Sequence, residues 1–149
     1  VLVGLLIGLL DMSAKLYVIS STWYNMFLQI SLDYVICYAI VGVGVIFFSF
    51  AKKSTTKSKY AWITLGVFTG SLLKYASHWF SGVLFFGTFA PDGVSKYLYT
   101  TYYNAGYMIP CFILTLAVMV IIAAKYEHQL LIPTDQIKLH AKGDTNEKI

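Results

Sequence analysis

Arginine is absent from this chain, and charge of either sign is scarce: Lys+Arg total 11, Asp+Glu total 7, and charged residues make up 12% of 149 positions. A soluble domain carries about a quarter charged residues. That shortfall, with 58% hydrophobic residues gathered in long runs, excludes an ordinary soluble domain. Without arginine or a Gly-rich loop there is no phosphate cradle, and no nucleic-acid partner is expected. The cysteines, Cys37 and Cys111, both lie in apolar runs. They form no disulfide framework of the secreted type and are too few for a structural zinc site. Buried structural thiols are expected, with no metal and no cofactor. H-E-x-x-H and G-x-S-x-G are both missing, so no recognised hydrolytic motif accompanies the polar residues discussed below. The chain begins at Val1 and enters an apolar run at once, with neither a charged n-region nor a small-residue cleavage site. This reads as the second half of a membrane span whose first part is missing.

What is present is a series of apolar segments with polar residues set into them. Val1–Leu10 carries Gly4 and Gly8 on one helical face, a spacing that permits close packing. Leu16–Gln29 is mixed, and the pattern predicts a loop or short interfacial segment with Trp23 and Tyr24 at the headgroup level. Ile30–Phe50 predicts a transmembrane helix with Asp33 near its start. The loop Ala51–Lys59 has four lysines and no acid, which places it in the cytoplasm by the positive-inside rule. Tyr60–Phe86 repeats Gly66, Gly70, Lys74, His78 and Gly82 every four residues. Each step turns about 40° around a helix, so this face should point into a bundle. Pro91-Asp92-Gly93 signals a turn, Tyr97–Ala124 a last span kinked at Pro110, and Lys125–Ile149 a polar tail. The expected architecture is an all-α helical transmembrane bundle over residues 1–124, of about four spans with the first partial. A soluble cytoplasmic tail over residues 125–149 follows it.

With the lysine loop inside, the polar residues converge on the outer leaflet. Asp33 is expected about 5 Å below the outer end of its helix, His78 about 12 Å, and Tyr99 and Asn104 roughly 3–10 Å. A carboxylate, an imidazole, a carboxamide and aromatic rings suit an organic cation with a hydrogen-bonding heteroaromatic edge. Bland readings stand beside this one. Asp33 can neutralise Lys74 within the bundle, His78 can be an interhelical hydrogen bonder, and Tyr99, Tyr102 and Tyr103 can be an interfacial belt. Polar groups that only glue helices would make a structural or assembly protein. Asp33 and His78 as an acid–base pair would make an intramembrane enzyme.

Four motifs carry a family likeness. KYxxHxxSGVxFFGxFAPxG at Lys74–Gly93, YxxxYN at Tyr99–Asn104 and GYMIP at Gly106–Pro110, with LDYxxxYA at Leu32–Ala39, resemble the thiamine-specific substrate-binding (S) component of energy-coupling factor (ECF) transporters. The resemblance implies a six-helix fold of which the first helices are absent here. It also implies a non-catalytic, high-affinity thiamine-binding subunit in the cell membrane, docking on a transmembrane coupling subunit driven by two cytosolic ATPases. His78, Tyr99 and Asn104 match polar thiamine contacts. Asp33, beside Tyr34, matches a position often occupied by Glu, where it would contact the aminopyrimidine or balance the cation. Phe86 falls where some members have a stacking Trp, and Trp23 matches an aromatic of an external loop. Lys74 is expected beneath the site as a structural partner for a carboxylate. A thiamine precursor or another vitamin is the alternative ligand on the same scaffold.

Overall fold

A computed structural model of the chain describes residues 1–19, 21–52, 54 and 56–126. The polar tail beyond Tyr126, and part of the lysine loop, lie outside the described residues. The described residues form four helical rods and no strand. Helix α1 is Leu2–Lys15, and α2 runs unbroken over Trp23–Ala51. Helix α3 is Thr56–Ser81, extended by a π-helical segment Gly82–Phe86 and a 3-10 turn Gly87–Phe89. Helix α4 is Lys96–Lys125 and continues through Pro110. It opens with Ser95, whose side chain accepts from the Leu98 backbone N–H, satisfying one of the unpaired donors of the first turn.

The rods are apolar on the outside. Leu2, Phe27, Val45, Phe68, Leu114 and Ile121 are all exposed, whereas Gln29, Ser77, Ser81, Thr100 and Asn104 are buried. A water-soluble fold distributes these residues the other way round. In lipid the arrangement is favourable, because hydrocarbon satisfies the outer faces and buried polar groups hold helices together. The protein is an all-helical membrane bundle.

Glycine sets the spacing between rods. A Cβ at Gly4 or Gly8 would run into the backbone carbonyls of Tyr38 or Tyr34, so α1 lies directly on α2. Gly44 and Gly66 face each other across α2 and α3, and Gly70 meets the Val41 carbonyl. The four-residue stripe on α3 therefore follows α2 through Gly66, Gly70, Lys74 and His78. The 40° drift per step then carries it around, so that Gly82 meets Thr100 and Asn104 of α4. At the end of the bundle holding the lysine loop, Ala51, Ile63 and Ala123 form a dry cluster with Trp62 stacked on Phe50. The opposite end is left open.

Three sequence expectations need correction. Cys37 is buried as expected, but Cys111 is exposed on α4. Helix α2 starts at Trp23 rather than Ile30: Trp23–Ile30 forms two further amphipathic turns that run without a break into the rest of the helix, with Gln29 buried. The connecting loop is accordingly short, and Asp33 lies ten residues, ~15 Å, into its helix instead of near the end. That greater depth brings it level with His78.

Candidate ligand-binding site

Two π-helical segments frame the open end: Ser31–Ile36 within α2 and Gly82–Phe86 after α3. A π turn is wider than an α turn and commonly marks a functional site. Here it leaves carbonyls accessible to side-chain donors. Ser77 of α3 donates to the Leu32 carbonyl at 2.7 Å, and the Cys37 thiol donates to the Asp33 carbonyl at 2.6 Å. The first bond pins α3 to the widened turn, so Asp33 and Tyr34 are presented to the interior together.

Between these segments and α4 lies a cavity of about 660 Å³. Its charged wall holds Asp33 and Asp11, and its imidazole is His78. The Asp33 Oδ1 and His78 Nδ1 are 3.3 Å apart. A neutral His78 donates Nδ1–H to Asp33 and keeps Nε2 as an acceptor, while a protonated one donates from both nitrogens. The His78 ring meets Tyr107 edge to face, 6.2 Å between centroids. The Tyr107 hydroxyl donates to Asn104 Oδ1 at 2.5 Å, and Asn104 Nδ2 donates to the Thr100 carbonyl at 2.9 Å. Three helices are thus linked through the cavity wall by an Asp33–His78 pair, a His78–Tyr107 ring contact and a Tyr107–Asn104 hydrogen bond.

Aromatic rings supply the rest. Tyr99, Tyr103 and Tyr107 lie four residues apart on α4, with successive centroids 5.8 and 6.1 Å apart. Phe86 stacks on Tyr17 at 6.4 Å and 29°, and both rings line the cavity. Tyr17 reaches this position because the segment after α1 is held by one buried side chain. Gln29 Nε2 donates to the Tyr17 carbonyl and Gln29 Oε1 accepts from the Ile19 N–H, each at 3.1 Å. The Tyr17 N–H donates to the Tyr34 hydroxyl at 3.2 Å.

Of the residues predicted from sequence, Asp33, Tyr34, His78, Phe86, Tyr99 and Asn104 all line this cavity. Trp23 does not: it is 79% exposed at the start of α2, against Tyr24. Tyr17 occupies the place expected of an external-loop aromatic. Lys74 pairs with neither carboxylate among the described residues. Its Nζ sits 4.1 Å from the Tyr38 ring centroid, and the Tyr38 hydroxyl donates to Asp11 at 3.0 Å. Lys74 thus reaches a carboxylate only through a tyrosine, and lies outside the cavity wall. Tyr102 faces outward. Sequence reasoning missed Asp11, Tyr17, Tyr107 and Thr100. The tyrosine spacing of four along α4 was the available signal for Tyr107. Nothing local marked Tyr17, because Gln29, twelve residues on and buried, fixes its position.

The chain is 39% identical over 120 residues to the thiamine transporter ThiT of Bacillus subtilis (strain 168), covering 78% of this chain and 60% of that protein. It is 34% identical over 98 residues to the thiamine transporter ThiT of Lacticaseibacillus paracasei, covering 62% of this chain and 48% of that protein. The chain therefore spans 60% or less of the length of these relatives. A solved structure of ThiT from Listeria monocytogenes superposes with a TM-score of 0.69 at 21% identity, over 87% of this chain and 70% of that one, and shares its fold. The family model described as thiamine transporter protein (Thia_YuaJ) matches residues 1–131, and the chain belongs to that family.

Proposed function

We propose that this chain is the ligand-holding part of a thiamine-binding membrane subunit of an ECF-type importer, capturing thiamine at the outer face of the cell membrane. The observation that carries the reading is the meeting of Asp33, His78 and Asn104, from three helices, on one aromatic-walled cavity. Thiamine joins a permanently cationic thiazolium to an aminopyrimidine and a hydroxyethyl group. Asp33, with Asp11 nearby, balances the cation, and the tyrosine faces and the Phe86–Tyr17 pair add cation–π attraction. His78, Tyr99 and Asn104 offer directional hydrogen bonds. No step of bond making or breaking is assigned to these residues; the work is recognition and transfer.

The apolar outer faces of the rods leave the subunit free to dock in the bilayer. Delivery inward is assigned to a transmembrane coupling subunit and two cytosolic ATPases, with the tail of this chain on the cytoplasmic side. The test is uptake of radiolabelled thiamine into cells expressing the full-length protein with and without a coupling and ATPase module. Accumulation only with the module supports the proposal. Equal accumulation by the lone subunit contradicts it.

A further inference from the structure

Thr100 sits on α4 one turn before Asn104, is 1% exposed, and its hydroxyl has no hydrogen-bond partner among the described residues. Helical threonines commonly turn the hydroxyl back to the carbonyl four residues earlier. Thr101 does so to Tyr97 at 2.8 Å, and Thr115 to Cys111 at 2.7 Å. Thr100 instead turns its side chain toward Gly82. Its methyl group fills much of the place a side chain at position 82 would take, with its Oγ1 3.2 Å and Asn104 Nδ2 3.4 Å from that place. Gly82, Thr100 and Asn104 all line the cavity. Asn104 uses one amide N–H on the Thr100 carbonyl and its Oδ1 on Tyr107. A second N–H and a threonine hydroxyl thus stand at one corner, and only the lack of a side chain at Gly82 leaves them room. A buried hydroxyl without a partner is unfavourable, and such groups call for an explanation in function or structure.

We propose that the Thr100 hydroxyl, at the corner it shares with Asn104 beside Gly82, is a further ligand-reading group for a hydrogen-bonding heteroaromatic edge. This rests on the thiamine reading above. The edge is then that of the aminopyrimidine, whose amino group donates to Thr100 Oγ1 while the neighbouring ring nitrogen accepts from Asn104. Thr100 is a specificity-determining residue, and the ligand supplies the partner its hydroxyl lacks in the protein.

The experiment is isothermal calorimetry with thiamine on the full-length protein in lipid nanodiscs, together with thermal melting of the ligand-free protein. Thr100→Val keeps the shape and removes the hydroxyl. It should weaken thiamine binding about 5- to 100-fold, while the ligand-free variant melts at or above the wild-type temperature. Thr100→Ser restores the hydroxyl and should bind within about threefold of wild type. Wild-type binding together with an unchanged affinity in Thr100→Val overturns the corner alone. So does a Thr100→Val protein that melts lower or does not fold, since the hydroxyl then serves structure, and so does a Thr100→Ser variant as weak as Thr100→Val. A wild-type protein that binds no thiamine overturns the thiamine reading and the corner with it.

Discussion

The proposed recognition turns on His78 and Asn104, and each already has partners in the protein: Asp33 for one, Thr100 and Tyr107 for the other. Polar groups so placed can serve as helix glue, and mutation separates the two roles. If they meet the ligand, His78→Ala and Asn104→Ala each weaken thiamine binding by about 1–3 kcal/mol, the cost of leaving a buried partner unsatisfied. Titration calorimetry reads this directly, and unchanged affinity in both would reduce them to glue. Asp33→Asn removes the charge at nearly constant shape. It should lower affinity for thiamine while leaving affinity for a neutral carbon-ring analogue of the thiazolium almost unaltered; equal losses for both would show that the carboxylate does not answer the cation. At this scale much was readable beforehand, because an intramembrane Asp, His or Asn is costly enough to demand a reason wherever it stands. Trp23 was misplaced for the complementary reason. An aromatic near an interface has a cheap alternative in the headgroup layer, so its type alone does not bring it to a cavity.

Among the elements, the glycine-spaced contacts and the Gln29 clamp hold the cavity open at one end of the bundle. Gly44 and Gly66 let α2 and α3 touch backbone to backbone, which sets the register that places Asp33 beside His78. Gly44→Val forces the pair apart and should destabilise the protein by about 1–3 kcal/mol, read as a lower melting temperature in detergent. A neutral result would mean that the helices are not held at that distance. Gln29 ties the segment around Tyr17 to α2 through two backbone bonds. Gln29→Ala should free that segment, speeding hydrogen exchange at the Ile19 amide and raising the thiamine off-rate more than it lowers the on-rate. Protected exchange in the variant would show that the clamp is dispensable. The helices themselves were legible from hydropathy and from the four-residue stripe on α3. The start of α2 was not, since Trp23–Ile30 has mixed polarity that fits a loop as well as a helix, and Gln29, which is buried there, bonds to a segment ten to twelve residues earlier. The π segments were equally hidden: at Ser31–Ile36 the Leu32 carbonyl takes its bond from Ser77 of a neighbouring helix, a partner that no local pattern marks.

The whole molecule is closed at the lysine-loop end by the Ile63 cluster and open at the other, with polar residues inside and apolar faces out. That polarity suits a binding subunit that receives a small cation from one side and relies on partners to pass it on. The motifs at Lys74–Gly93 and Tyr99–Asn104 made the family visible in the sequence, and the match over residues 1–131 establishes it. The identity of the ligand is the central claim. It is tested most directly by equilibrium dialysis of radiolabelled thiamine against the full-length purified protein. Saturable binding at one site per chain, at micromolar concentration or below and displaced by unlabelled thiamine, is the predicted result. No saturable binding at micromolar thiamine by a protein that remains folded would contradict it.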